Sequence, residues 1–305
     1  MTAVKIIHWE EPNRRNTPPL HIAARGDRFS TLTGVWWLDE YRYVVNHRSG
    51  LRMALFDLRA GDVPLVIAPL PHLSDDIAAK RIGEEKWEIA VSGCWDCAFS
   101  LYHLSTGNPP EFRLIGIKPH SNATFCHGVA YDPAGRLWLA FHTGSDPRIE
   151  AGSAVWRLPA PWGARDICID ENSNQVYAIA VSKNPTLTAY DQTATSIWRY
   201  EPAANSWNMI HAMKNVHSDA CRFYGGRMWL PDQVGDRVLG LDLHTGAAPK
   251  VIQGNYFDFP HGLDVSQTGI LAVTNYGSSS LALFDLHAQS SAESAPQPHE
   301  TSATR

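Results

Sequence analysis

Four histidines stand at, or just ahead of, the starts of short apolar segments of strand type: Pro71-His72, Cys126-His127-Gly128, Val216-His217 and Pro260-His261-Gly262. Carboxylates keep them company. Asp75-Asp76 follows His72, Asp219 follows His217, and Arg165-Asp166 marks a comparable start. Neutral imidazole suits zinc, iron or copper, and an imidazole beside a carboxylate can move a proton near neutral pH. Two chemistries are open. His72, His127, His217 and His261 could ligate one divalent metal, zinc, iron or copper before calcium. Alternatively, a His–Asp pair such as His217 with Asp219 or His72 with Asp76 could run metal-free acid–base catalysis; Asp76, Asp166 and Asp219 are the candidate bases. A plainer reading has a His before Gly bonding a backbone carbonyl and fixing a turn. His127 and His261 are in strict register, each ten residues before a leucine of the next segment, Leu137 and Leu271.

A second set of groups falls between later strand-type segments: Arg48, Trp95, His142, Arg148, Lys183 and Tyr276. Arg48, Arg148 and Lys183 could hold an anionic substrate, and Trp95 could offer it a ring face. The single Cys94-x-x-Cys97 has no second pair, which leaves it weak as a zinc or redox motif. Cys168 and Cys221 lie inside apolar segments and read as small buried residues. The sequence has no phosphate-binding Gly-rich loop, no Gly-x-Ser-x-Gly elbow and no HExxH.

Groups so far apart in the chain act together only on a repetitive scaffold, and the repeat is visible. Residues 260–286 read PHGLDVSQTGILAVTNYGSSSLALFDL: three strand-type segments in 27 residues, joined by Ser266–Gly269 and Asn275–Ser278 turn chemistry. Three strands cannot bury both faces alone, so such a unit must recur and stack. The last segment recurs as MALFDL, FSLYHL, SAVWRL (153–158), TSIWRY, RVLGLD with Leu243, and LALFDL. The ends at Leu58, Leu104, Leu158, Tyr200, Leu243 and Leu286 are spaced by 46, 54, 42, 43 and 43 residues. The middle segment also recurs six times, as RYVVNH, WEIAVSG, RLWLAFH, QVYAIAVS, RMWLPD and ILAVTN. Several strands per period, at a period mostly in the forties, predict an all-β, six-bladed β-propeller. In that fold the first strand of each blade lines the channel, and the histidines gather at one mouth.

Outer strands are expected at 63–68, 111–116, 206–211 and 249–253; blade 3 has a short one or none. Nothing comparable follows Leu286, whereas Pro18–Ala24 (PPLHIAA) resembles Val63–Pro69 (VPLVIAP). Residues 19–24 are therefore expected to close the last blade and remove its exposed edge; Val4–Trp9 is a further candidate strand. The blades are expected at 31–69, 74–117, 127–160, 166–211, 217–253 and 261–286 with 19–24. Residues 1–287 are expected to form one domain, and 288–305, rich in Ser, Ala and Pro, a disordered tail. Trp87, Trp138, Trp156, Trp198 and Trp229 occupy repeated positions and should pack between blades.

The chain of 305 residues is 44% hydrophobic with a formal net charge of -5. It carries no basic patch of nucleic-acid type, no signal-peptide core and no run long enough to cross a membrane. Five cysteines without framework spacing point to a reducing cytoplasm.

HGLDVSQTGILAVTNYGSSSLALFDL resembles the tyrosine-valine-threonine-asparagine type of propeller repeat. Over roughly 19–286, the blade count and single-domain size resemble the gluconolactonase/regucalcin and strictosidine-synthase superfamily. That resemblance implies a divalent ion held by a Glu, an Asn and an Asp at the channel mouth. The matching positions here are His127, His261 and Asp166, a set suited to a softer metal or to a metal-free lyase or cyclase. The resulting expectation is an enzyme of hydrolase/lactonase or lyase/cyclase type acting on a small molecule. The rival is a non-enzymatic ligand- or protein-binding propeller. The oligomeric state is left open.

Overall fold

The computed structural model describes residues 5–8, 32–94, 96, 98–119, 124–182 and 194–288. These form six four-stranded antiparallel sheets and no helix. Blade 1 comprises Leu32–Trp37, Arg42–His47, Arg52–Asp57 and Val66–Pro69; blade 2 comprises Ile77–Gly83, Lys86–Ser92, Phe99–Ser105 and Glu111–Lys118. Blade 3 comprises Thr124–Tyr131, Leu137–Gly144, Arg148–Ala151 and Ala154–Trp156; blade 4 comprises Trp162–Asp170, Gln175–Ser182, Ala194–Glu201 and Ser206–Lys214. Blade 5 comprises Arg222–Tyr224, Arg227–Asp232, Arg237–Leu241 and Lys250–Gln253. Blade 6 comprises Pro260–Val265, Ile270–Asn275, Ser280–Asp285 and, outermost, Lys5–His8. Each sheet is a simple meander, and each first strand touches the first strands of both neighbouring blades, which closes the ring. The fold is the six-bladed β-propeller that the repeat predicts.

The closing strand comes from the N-terminal side, as expected, but it is Lys5–His8 that pairs with Ser280–Leu283. The proposed 19–24 lies outside the described residues. The choice follows burial: Ile7 is 2% exposed and packs with Leu281 and Leu283, while Ile6, on the other side of the strand, faces solvent.

Blade 3 requires a second correction. SAVWRL is not its third strand: Ala154–Trp156 is the short outer strand, and Arg148–Ala151 is the third. Gly152, with φ of +63°, makes the tight turn between them. This register buries Ile149 and stacks Trp156 on Trp138, with ring centroids 5.5 Å apart. Tyr200 and Trp207 of blade 4 complete that aromatic cluster, so the repeated aromatics do pack between blades. The C-terminal tail expected at 288–305 lies, beyond residue 288, outside the described residues.

Candidate functional site

The starts of the first strands meet near the axis, and their side chains form two layers. Asp75 and Asp76 show the division. They are adjacent in the chain, yet Asp75 pairs with Arg48 and lies 3.8 Å from His127 Nε2, while Asp76 accepts the Val129 N–H at 2.9 Å and lies 3.6 Å from Arg222.

The inner layer is structural. Asp76 of blade 2 accepts from Val129 of blade 3 at 2.9 Å, and Asp166 of blade 4 accepts from Cys221 of blade 5 at 2.8 Å. Asp264 of blade 6 accepts from Trp37 of blade 1 at 2.6 Å. Three carboxylates thus each tie one blade to the next. Arg222 meets all three, at 3.6 Å (Asp76), 3.1 Å (Asp166) and 3.4 Å (Asp264), and stacks on Trp36. Burial raises all three carboxyls above their ordinary range, with Arg222 opposing; Asp264 is pushed up to about 6. Asp76 and Asp166, expected as catalytic bases, are committed to backbone N–H groups and Arg222, away from the histidines. On the far side of this layer a funnel of about 950 Å³ opens among the hairpin turns.

The outer layer gathers the imidazoles. His127 and His261 stack with centroids 5.6 Å apart, Tyr276 stacks on His261 at 5.2 Å, and His142 meets His127 edge-on at 5.9 Å. Asp219 is the hub. His127 Nε2 lies 3.8 Å, His261 Nε2 3.4 Å and Arg165 Nη1 3.0 Å from its oxygens. His217 Nε2–H donates to it at 3.2 Å and Gln233 Nε2–H at 2.8 Å. Ligating atoms of His127, Asp219 and His261 all lie within 4.8 Å of one another.

Protonation follows from burial. Burial brings His127 down to about 3 and lowers His142, His217 and His261 as well, so all four imidazoles are neutral at pH 7. Burial pushes Asp219 and Asp75 up, but nearby cations and imidazoles outweigh it. Arg165 and the hydrogen bond from His217 hold Asp219 well below the usual carboxylate range, and Arg48 lowers Asp75. His127 Nδ1–H donates to the Arg165 carbonyl at 3.1 Å, which leaves its Nε2 lone pair facing Asp75 and Asp219. No described residue bonds Nδ1 of His261, Nδ1 of His142, Nε of Arg165 or the Tyr276 hydroxyl, all buried.

Of the residues singled out in the sequence, His127, His217, His261, Asp219, His142, Arg48 and Tyr276 come together here. His72 does not: its Nδ1–H donates to Leu73 O at 2.8 Å and its Nε2 accepts from Ser100 at 2.9 Å, which fixes a turn. Arg148 is also elsewhere, buried against Phe141 and bonded to Glu150 and to Asp146 O within blade 3. Trp95 and Lys183 lie outside the described residues. Asp75, Arg165 and Gln233 are members that the sequence did not single out for a role. Asp75 and Asp76 lie just ahead of the strand Ile77–Gly83 and point into different layers, and the sequence does not mark which of the two faces the histidines. A bulge between Ala164 and Asp166 redirects Arg165.

Fold and site together define a six-bladed β-propeller with a buried cluster of histidine and aspartate around the starts of its first strands. No family model and no curated protein matches the sequence. Solved structures do match at the level of fold. A protein of unknown function from Bacteroides thetaiotaomicron aligns with TM-score 0.62 and 12% identity over 85% of this chain and 70% of its own. A luciferin-regenerating enzyme aligns with TM-score 0.60 and 11% identity over 85% and 92%. A catalytically inactive histidine-to-alanine variant of virginiamycin B lyase from Staphylococcus aureus, with quinupristin, aligns with TM-score 0.56 and 12% identity over 92% and 84%. No helix among the described residues is long and apolar enough to cross a membrane.

Proposed function

We propose that this propeller is a metal-dependent enzyme that transforms a small organic molecule at the His-rich mouth, by lactonase-like hydrolysis or lyase-type elimination or cyclisation. One observation carries the reading. The Nε2 lone pair of neutral His127 faces oxygens of two ionised carboxylates at 3.8 Å, with His261 Nε2 3.4 Å from one of them. An imidazole lone pair that faces carboxylate oxygens, as that of His127 does, is what a cation between them would stabilise. Two imidazole nitrogens and a carboxylate suit zinc or iron better than calcium.

His127 and His261 through Nε2, with Asp219, would hold the ion. Bound there, it would supply Lewis acidity and lower the pKa of a coordinated water. The protein's own groups do the rest. Arg165 fixes the His127 tautomer through its carbonyl and braces Asp219 through its guanidinium, which would hold both ligands in the orientation a metal needs. Asp75 is ionised and held by Arg48, and is the nearest base for a proton leaving water or substrate. His217 orients Asp219, and His142 offers a neutral imidazole beside the site. A lyase on the same fold, virginiamycin B lyase, is catalytically inactive as a histidine-to-alanine variant.

Elemental analysis of the purified protein tests the proposal. One transition-metal ion per chain is expected, lost in a His127→Ala/His261→Ala variant that keeps its β circular dichroism. Protein that neither carries such a metal nor takes up added zinc or ferrous ion would overturn it.

A further inference from the structure

The side chains around the proposed metal point to the class of substrate; the inference rests on the metal-centre reading above. We infer that the substrate is a small oxyanion, bearing a carboxylate or phosphate that completes the metal's coordination and faces Arg48 and Arg165.

The first argument is charge. The cluster contains Arg48 and Arg165 against Asp75 and Asp219, one cation paired with each carboxylate. The ligating imidazoles must be neutral to bind a metal. The protein groups therefore sum to zero, and a divalent ion leaves the site at +2. His127, His261, Asp75 and Asp219 are all 5% exposed or less. Unbalanced charge in such surroundings is costly, and an arriving anion removes the cost.

The second argument is position. Arg48 and Arg165 keep 16% and 13% of their side-chain surface, while Asp75 and Asp219 keep 1% and 5%. The cations thus form the outer rim and the carboxylates the floor, so an incoming molecule meets guanidinium first. Arg48 is held in place over the Phe125 ring, its guanidinium carbon 5.6 Å from the centroid. The third argument is hydrogen-bond capacity. Arg165 Nε–H and the Tyr276 hydroxyl are buried and bonded to no described residue. Both can donate, and an oxyanion accepts from both, whereas a neutral ether or hydrocarbon leaves them unmet.

The test uses the full-length protein loaded with cobalt(II), whose visible absorption reports a change of ligand. Three probes are titrated: glycolate, its neutral isostere glycolamide, and inorganic phosphate. At least one of the two anions is expected to shift the spectrum and to bind tenfold or more tightly than glycolamide. In Arg48→Gln, which leaves all three proposed ligands in place, that preference should fall at least fivefold, with one cobalt ion still bound per chain. If cobalt binds but neither anion outcompetes glycolamide, or if Arg48→Gln keeps the full preference, the substrate inference fails alone. If cobalt does not bind, the metal centre fails, and this inference with it.

Discussion

The main-chain carbonyl of Arg165 accepts the Nδ1–H of His127 at 3.1 Å, while the side chain of the same residue lies 3.0 Å from Asp219. One residue of blade 4 thus orients groups from blade 3 and from just ahead of the first strand of blade 5. The contact needs close approach, and Gly128 permits it. A Cβ at Gly128 would sit 2.5 Å from Arg165 O and 2.6 Å from Asp166 Cα. Gly128→Ala should therefore force the two blades apart. The expected cost is about 1–3 kcal/mol in denaturant unfolding, with zinc affinity reduced roughly tenfold or more. Parental values of both would contradict the arrangement.

Asp219 and His217 should separate ligand from support. Asp219→Ala removes a proposed ligand and should abolish stoichiometric metal. His217→Ala removes only a donor to Asp219, and should weaken metal binding roughly 10- to 100-fold without abolishing it. Competition titration against a chromophoric chelator distinguishes the two. Equal effects would mean that His217 is itself a ligand.

Arg222 balances three buried carboxylates, so its loss should be severe. Arg222→Met leaves Asp76, Asp166 and Asp264 uncompensated, with an expected loss on the order of 3–5 kcal/mol at pH 7. Because protonation relieves the repulsion, the variant should recover part of this loss at pH 5. Stability curves at the two pH values give the answer, and a pH-independent loss would rule the charge explanation out.

Asp264 provides a pH test with a defined sign. Its folded-state pKa is raised from 3.8 to about 6, by burial first and against the pull of Arg222. The folded state thus holds this proton more tightly than the unfolded chain. The resulting stability is complete below the unfolded pKa and is lost as pH rises through about 6. A shift of this size corresponds to roughly 3 kcal/mol. Asp264→Asn still offers an acceptor to the Trp37 N–H, and should flatten the decline in unfolding free energy between pH 4 and pH 7 (about the window spanned by the two pKa values). A variant that declines as steeply as the parent would assign the pH dependence elsewhere.

The closing strand can be tested at two adjacent positions. Ile7→Ala deletes a buried side chain packed with Leu281 and Leu283, and should cost about 2–5 kcal/mol. Ile6→Ala alters a position 40% exposed, and should change stability by less than about 0.5 kcal/mol. Thermal melts of the pair decide whether Lys5–His8 closes the ring in solution.

Blade number and the order of strands within a blade could both be read from the sequence. Each depends on apolar alternation and turn residues within some forty positions, as in residues 260–286. Two strand assignments could not. SAVWRL matches the third-strand pattern, yet Arg148–Ala151 takes that position because the turn at Gly152 and the Trp138–Trp156 stack set the register. Residues 19–24 look like an outer strand, but Lys5–His8 takes the place through the burial of Ile7. The outer strands of blades 3 and 6 are only 3 and 4 residues long, and a local pattern identifies strands so short poorly.

The sequence by itself determined that His127 and His261 stand at equivalent points of a repeat, because equal spacing along the chain becomes equal height in equivalent blades. Only the tertiary structure decided which carboxylates join them. Asp75 and Asp76, or Arg165 and Asp166, differ by one step of the backbone, and one step sends a side chain to the other layer. For Arg165 and Asp166 the bulge between Ala164 and Asp166 settles that step. A pattern of apolar and polar residues does not record which residue takes the extra position of a bulge.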